Sequence, residues 1–100
     1  MYRGTTPTIT FTLPFDCNQI TVLNVCFSQD NQIVLEKTLE DCIIKGNTLS
    51  VNLTEKETLM FNNENGTVEM QLRVGIEEVR MASNIMIVPV KRILKDGYLE

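Results

Sequence analysis

The sequence of 100 residues contains no histidine and no tryptophan. Without histidine, the chain lacks the usual general base near neutral pH, the usual partner of a nucleophile and the commonest metal ligand. No two cysteines have the C-x-x-C spacing of a structural zinc site. The five glycines are too dispersed to form a phosphate-binding loop. We therefore expect no enzymatic activity, no metal, no cofactor and no small-molecule substrate.

Positive charge is also sparse. Nine Lys and Arg residues stand against 13 Asp and Glu residues, which gives a net charge of −4. No basic stripe is present to displace counterions from phosphates, so we expect no nucleic-acid partner. No stretch approaches the roughly 20 apolar residues of a membrane helix, and residues 1–7 lack the apolar region of a signal peptide. These features predict a protein made in the cytoplasm that does not enter a membrane.

Cysteine is limited to Cys17, Cys26 and Cys42. An odd number at such wide spacing does not form a disulfide framework. In a reducing compartment we expect three free thiols that are buried or half-buried.

The clearest pattern that is present is the alternation from Thr67 to Ile76. Apolar side chains occupy every second position of this segment, namely Val68, Met70, Leu72, Val74 and Ile76. Because successive side chains of a strand point to opposite faces, one face is apolar and the other is polar. Strict alternation of this length is typical of a half-buried antiparallel strand.

Similar but shorter patterns predict further strands. They cover Thr8–Leu13, Ile20–Phe27, Gln32–Thr38, Thr48–Leu53 and Asn84–Val90, with a short apolar piece at Cys42–Ile44. In the third of these strands we expect Ile33 and Leu35 to point inward. Pro89 places the last strand at an edge or a bulge, because proline cannot donate to a ladder. Glu77–Ala82 is predicted as a hairpin connection and Asn62–Gly66 as a loop.

One segment departs from the strand pattern. Thr54 is followed three residues later by Glu57, the spacing of a capping box, in which each side chain satisfies a backbone amide at a helix start. We therefore predict one short helical turn near residues 55–60 that crosses between two sheets, with Leu59 and Phe61 held against the core.

Together these elements predict a single all-β domain over residues 1–100. About seven short antiparallel strands with regular turn signals favour a β-sandwich. A partly open barrel is the alternative architecture. The outward row Glu69, Gln71 and Arg73 has two interpretations that the sequence leaves open: a solvated face with cross-strand ion pairs, or a face that docks a neighbouring subunit.

Several stretches in the chain together resemble those of a known group of proteins. They are Arg3–Thr8 before a Phe-x-Leu strand, Leu53–Leu59, Glu69–Arg73, and Ala82–Ile85 before Val90–Gly97. This series resembles small virion-associated proteins encoded in tailed phages and prophages of Gram-positive bacteria. The opening Gly-Thr strand and the Leu-Thr helical turn also look like the immunoglobulin-like amino-terminal domain of phage baseplate upper proteins. The long helical region of those baseplate proteins has no counterpart in this sequence.

The resemblance implies an immunoglobulin-like β-sandwich that serves as a virion structural or accessory protein in a tail, a baseplate or a head surface. It implies assembly with other virion subunits, and possibly with a second copy in a symmetric oligomer. The protein would be made in the bacterial cytoplasm and then assembled into the particle. The candidate interface residues are Tyr2, Arg3, Thr5, Glu69, Gln71 and Arg73.

Two other kinds of function stay open from the sequence. One is a small phage-encoded regulatory protein that binds a bacterial target in the cytosol. The other is an adhesive, carbohydrate-binding sandwich. Its tyrosines are limited to Tyr2 and Tyr98 near the termini, so the chain has few aromatic side chains on which a sugar ring could stack.

Overall fold

The computed structural model describes residues 1–62, 66–95 and 97–98, and within these ranges the chain forms eight strands and one short α-helix. The strands are β1 (Thr8–Thr12), β2 (Val22–Gln29), β3 (Gln32–Thr38), β4 (Cys42–Lys45), β5 (Thr48–Asn52), β6 (Thr67–Ile76), β7 (Val79–Ala82) and β8 (Met86–Pro89). The helix α1 covers Glu55–Leu59, and 3₁₀ turns cover Cys17–Gln19 and Leu39–Asp41. No helix in these ranges is long and apolar enough to cross a membrane.

The strands form two antiparallel sheets. The smaller sheet has the order β1-β5-β4, and the larger sheet has the order β3-β2-β6 with β7 and β8 both paired to the far edge of β6. One buried cluster joins the two sheets: Leu49, Val51 and Leu53 come from β5 and the residue after it, and Val25, Phe27 and Leu72 come from the centre of the larger sheet. The prediction of an antiparallel all-β chain is confirmed, and the arrangement is consistent with a sandwich.

The long alternating strand lies at the centre of the larger sheet. Its apolar residues Val68, Met70, Leu72 and Val74 are buried, as the alternation predicts. Strands β2 and β6 pair along Val22–Ser28, which is the longest pairing between any two of the described strands. The inner face of this pair supplies much of the core.

The predicted hairpin connection at Glu77–Ala82 is wrong, because Val79–Ala82 forms strand β7. Only Glu77 and Glu78 lie between the paired residues Ile76 and Val79. Glu77 adopts a positive φ of 52°, the conformation that a tight two-residue hairpin requires. Glutamate is an unusual residue for that conformation, so the sequence carries no clear signal of so short a turn.

The predicted inward orientation of Ile33 is also wrong. Phe27 pairs with Leu35, but the next residue, Ser28, pairs with Ile33, so Val34 is an extra residue in β3. Such a bulge reverses the alternation on one side of it. Ile33 is therefore 61% exposed. Leu35 is half-buried as predicted, and Lys37, two residues further along the same face, is buried.

The helical turn forms where the capping box predicts it. The Thr54 side chain accepts a hydrogen bond from the Glu57 amide, and Glu57 Oε1 accepts one from the Thr54 amide at 2.8 Å. The helix leads from β5 in the smaller sheet to β6 in the larger one, and Phe61 beyond it is buried against Phe27 with ring centroids 5.9 Å apart. Leu59 is half-buried. Of the predicted loop at Asn62–Gly66, residues 63–65 lie outside the described ranges.

The amino-terminal segment contacts both sheets. Tyr2 forms a parallel bridge with Lys91, just beyond β8, and Arg3 donates its amide to the Lys91 carbonyl. A few residues later, Pro7 accepts a hydrogen bond from Leu53 and β1 joins the smaller sheet. This segment therefore holds the two sheets together at one end.

Candidate interaction surface

The solvent-facing side of the larger sheet, here called the outer face, contains the row Glu69, Gln71 and Arg73. These three side chains alternate with the buried residues of β6 and are therefore placed together on one surface. Because β6 lies between β2 on one side and β7 and β8 on the other, the row runs through the middle of the sheet.

Cross-strand pairing arranges the outer face in three rows. The first contains Ile33, Ser28, Glu69 and Ile87. The second contains Glu36, Cys26 and Gln71. The third contains Thr38, Asn24, Arg73 and Ala82. The first row is apolar at both ends and polar in the middle, and the third row is polar over three of its four positions.

Exposed isoleucines flank the polar centre. Ile33, Ile85 and Ile87 are 61%, 57% and 69% exposed. Between the first two lies a surface pocket of about 240 Å³, with Cys26, Ser28, Glu69, Met70 and Gln71 as its other lining residues. Three exposed isoleucines around a polar pocket make this face a candidate surface for binding another macromolecule.

A second bulge, at Ser83, places Ile85 and Ile87 on the outer face. Arg73 pairs with Ala82 in β7, but Glu69 pairs with Ile87 in β8, so one extra residue lies between the two strands. Leu72 donates its amide to the Ser83 hydroxyl at 3.0 Å, and Ser83 donates its own amide to the Leu72 carbonyl. Without the extra residue, Met86 would face outward in place of Ile87.

The charged groups of the row are available to a partner. Within the described ranges, no hydrogen bond or ion pair engages the side chains of Glu69 and Arg73. Gln71 donates to the Ser83 carbonyl at 3.0 Å, so it is partly committed within the chain. Glu36 accepts a hydrogen bond from Asn24 at 3.1 Å.

At the other end of the outer face, Gly75 is buried beneath the side chains of Val22 and Arg80. Its position lies opposite Val22, and the neighbouring pocket of about 170 Å³ is lined partly by Val22, Arg73 and Arg80. Arg80 donates to the carbonyls of Glu77 and Val79, which holds its guanidinium beside Gly75. A larger residue at position 75 has no room, because its Cβ would meet both neighbouring side chains.

The predicted amino-terminal interface residues lie elsewhere, in contacts within the chain. Arg3 donates through Nε and Nη2 to the carbonyls of Phe61 and Leu59 at the end of α1. The Thr5 amide donates to the hydroxyl of buried Thr58, and that hydroxyl donates back to the Thr5 carbonyl. Tyr2 is 53% exposed, with Lys91 Nζ 5.4 Å from its ring centroid.

The three thiols show no sign of activation. Burial, followed by the charges of Asp16, Glu36 and Asp41 respectively, raises the pKa of Cys17, Cys26 and Cys42 above the ordinary thiol value. A raised pKa leaves little thiolate, which is the nucleophilic form. In the described part of the chain, no three His, Cys, Asp or Glu side chains gather closely enough to hold a metal ion.

The structure thus groups half of the predicted interface residues and adds others that sequence reasoning missed. The additional residues are Ile33, Ile85 and Ile87. Residues 85–88 are all apolar, so the sequence does not show which of their two faces is outward, and nothing in it indicates the bulges that expose Ile33 and Ile87. No protein-family model, curated protein or solved structure matches this chain.

Proposed function

We propose that this protein is a non-enzymatic structural or accessory component of a phage particle, located in a tail, a baseplate or a head surface. In this proposal it binds another virion subunit through the outer face, and its sandwich is of the immunoglobulin-like type. Support comes from the sequence resemblance and from an amino-terminal segment that is shared between two antiparallel sheets.

The first cross-strand row carries the proposal. Ile33 and Ile87 stand at its two ends with Ser28 and Glu69 between them. Covering each exposed isoleucine would contribute about 1–2 kcal/mol to binding, since full burial of such a side chain contributes roughly 1.5–3 kcal/mol. Glu69 and Arg73 would add orientation more than affinity, because exposed charges mainly set the register and rate of docking.

The composition of the outer face favours a protein partner over a carbohydrate. Its three rows contain isoleucine, small polar and charged side chains, and none of their residues is aromatic. Sugar rings usually stack on aromatic side chains, so the rows lack the main element of a carbohydrate platform. A cytosolic regulatory role would use the same face but leave the protein outside the particle.

The test is incorporation into particles in a strain that produces them. Particles purified from an induced lysate are analysed for the tagged wild-type chain and for two outer-face variants, Ile87→Ser and Arg73→Glu. The smaller sheet provides matched controls in Ile43→Ser and Lys45→Glu, since Ile43 is 59% exposed and Lys45 is exposed on β4. Circular dichroism and light scattering first establish that all five chains are folded and of defined mass.

We expect wild type and both controls to sediment with particles and the two outer-face variants to remain largely in the soluble fraction. If the wild-type chain is absent from particles, the virion assignment is wrong and a cytosolic target becomes the better explanation. If all variants are incorporated equally, the outer face is not the docking surface.

A further inference from the structure

The described chain has four sheet edges, and one of them differs from the others. An edge strand presents unpaired backbone groups, and natural proteins usually interrupt it with a bulge, a proline, a charge or an early end. Strand β3 carries the bulge at Val34, and the β7–β8 edge is broken at Ser83 and contains Pro89. Strand β4 has four residues and ends at Lys45.

Strand β1 has none of these protective features. Its five residues, TITFT, contain no charge and no proline, and they pair with β5 in one unbroken register from Thr8 to Thr12. It is the edge of the smaller sheet, with β5 on one side only.

The backbone of β1 points alternately toward β5 and toward solvent. Leu13 donates to the Asn47 carbonyl, and Pro7 accepts from Leu53, so the odd-numbered positions face β5. In an antiparallel ladder, the intervening residues direct both their N–H and C=O groups to the opposite side. Thr8, Thr10 and Thr12 therefore present an unbroken row of donors and acceptors at the free edge.

We propose that a second copy of this chain pairs with this edge, with the two β1 strands antiparallel about a twofold axis beside Thr10. Thr10 then lies opposite the same residue of the second copy, and Thr8 lies opposite Thr12. The three residue pairs exchange about six backbone hydrogen bonds, two for each pair. Two three-stranded sheets become one continuous six-stranded sheet.

The side chains of β1 are self-complementary in the same register. On the inner face, Ile9 of one copy would lie beside Phe11 of the other, and both residues are only half-buried in the single chain. Pairing would cover apolar surface that the sandwich leaves partly open. On the solvent-facing side of the smaller sheet, threonine would meet threonine in a neutral polar row that already includes Thr10–Ser50 and Thr8–Asn52 hydrogen bonds.

Two substitutions at one position test the pairing. Thr10→Pro removes an N–H that faces away from β5, so the chain should still fold, because proline is tolerated at an edge with its nitrogen toward solvent. Thr10→Val keeps the N–H and the β-branched shape. Light scattering over a concentration series should show a dimer for wild type and Thr10→Val, and a monomer for Thr10→Pro with an unchanged circular-dichroism spectrum.

Thiol cross-linking tests the register in a Cys26→Ser/Cys42→Ser background. Thr10→Cys should give a covalent dimer on oxidation, since paired Cα atoms lie about 5.5 Å apart. Thr8→Cys alone should not, because the two copies of that residue are separated by about 13 Å along the strands. A mixture of Thr8→Cys and Thr12→Cys chains should cross-link.

Three results would overturn the proposal: a wild-type monomer at every concentration, a Thr10→Pro dimer as stable as wild type, or equal cross-linking of Thr8→Cys and Thr10→Cys. These outcomes are separate from the particle experiment. If a dimer is lost in Arg73→Glu but kept in Thr10→Pro, the chain associates through the outer face and not through β1.

Discussion

Lys37 Nζ lies 2.6 Å from Glu57 Oε2 and joins an edge strand of the larger sheet to the first turn of α1. The two side chains are only 11% and 19% exposed. The other Glu57 oxygen accepts the Thr54 amide, so one carboxylate completes both the capping box and the ion pair. The pair therefore ties β3 to the segment that connects the two sheets.

The first prediction concerns the stability that this pair contributes. Lys37→Met leaves Glu57 with an unpaired, largely buried charge, and Glu57→Gln keeps the capping box but leaves the lysine unpaired. We expect each single substitution to lower the free energy of unfolding by about 1–3 kcal/mol, less than for a fully buried pair because some solvent reaches both groups. The double variant should lose less than the sum, as measured by urea denaturation. Strict additivity would contradict the coupling.

The second prediction is the pH dependence of this contribution. Burial acts to raise the pKa of Glu57, but the hydrogen bond from Lys37, the Thr54 amide and the Lys37 charge outweigh it and lower the pKa below 4.5. A lowered folded-state pKa means that the stabilisation is complete above the unfolded value and is lost as pH falls through the folded value. Between neutral pH and the acid range, wild type should therefore lose more stability than Glu57→Gln. Parallel curves for the two chains would contradict the assignment.

The third prediction concerns buried Thr58, which connects α1 to the amino-terminal segment. Its hydroxyl accepts the Thr5 amide and donates toward the Thr5 and Glu55 carbonyls. Thr58→Val keeps the shape but leaves the Thr5 amide without its partner, which should cost about 1–3 kcal/mol. As a control, Thr12→Val at an exposed position should change the free energy of unfolding by less than about 0.5 kcal/mol. Equal thermal midpoints for the two variants would show that Thr58 does not fix this segment.

The fourth prediction concerns the close approach at Gly75. A Cβ at this position would lie 2.5 Å from Cγ1 of Val22 and 2.8 Å from Nη1 of Arg80. The arginine end can move, but the β-branched valine is stiff, so Gly75→Ala should destabilise the fold by about 1–3 kcal/mol. Val22→Ala, at a position that is 48% exposed, should restore much of that loss in the double variant. Failure of this rescue in thermal unfolding would place the strain elsewhere.

The fifth prediction is the order in which the thiols react. Cys17 is fully buried, whereas Cys26 and Cys42 are half-buried. In a labelling experiment with a thiol-specific chromophore, we expect two slow reactions in the native protein and a third only when the chain opens. Cys17→Ser should remove the slowest phase. Three equal rates would mean that the surroundings of Cys17 open far more readily than its burial indicates.

Part of the candidate surface could be predicted from local sequence, and part could not. The outward row Glu69, Gln71 and Arg73 follows from alternation alone, because every residue of β6 keeps the same phase. The amino-terminal residues Arg3 and Thr5 give no local signal of their partners, since those partners lie more than 50 residues away on α1. Their exposure could be judged only after the two segments were packed together.

Local sequence is sufficient for the elements whose causes lie within a short segment. Strict alternation defines β6, and the Thr54–Glu57 spacing defines the start of α1. Both signals depend only on residues that are close together in the sequence. Which side of edge strands β3 and β8 faces solvent depends instead on how distant strands pair. Single extra residues at Val34 and Ser83 reverse the alternation of β3 and β8, and they exist only relative to the partner strand. Pairing between distant strands therefore placed Ile33 and Ile87 on one surface.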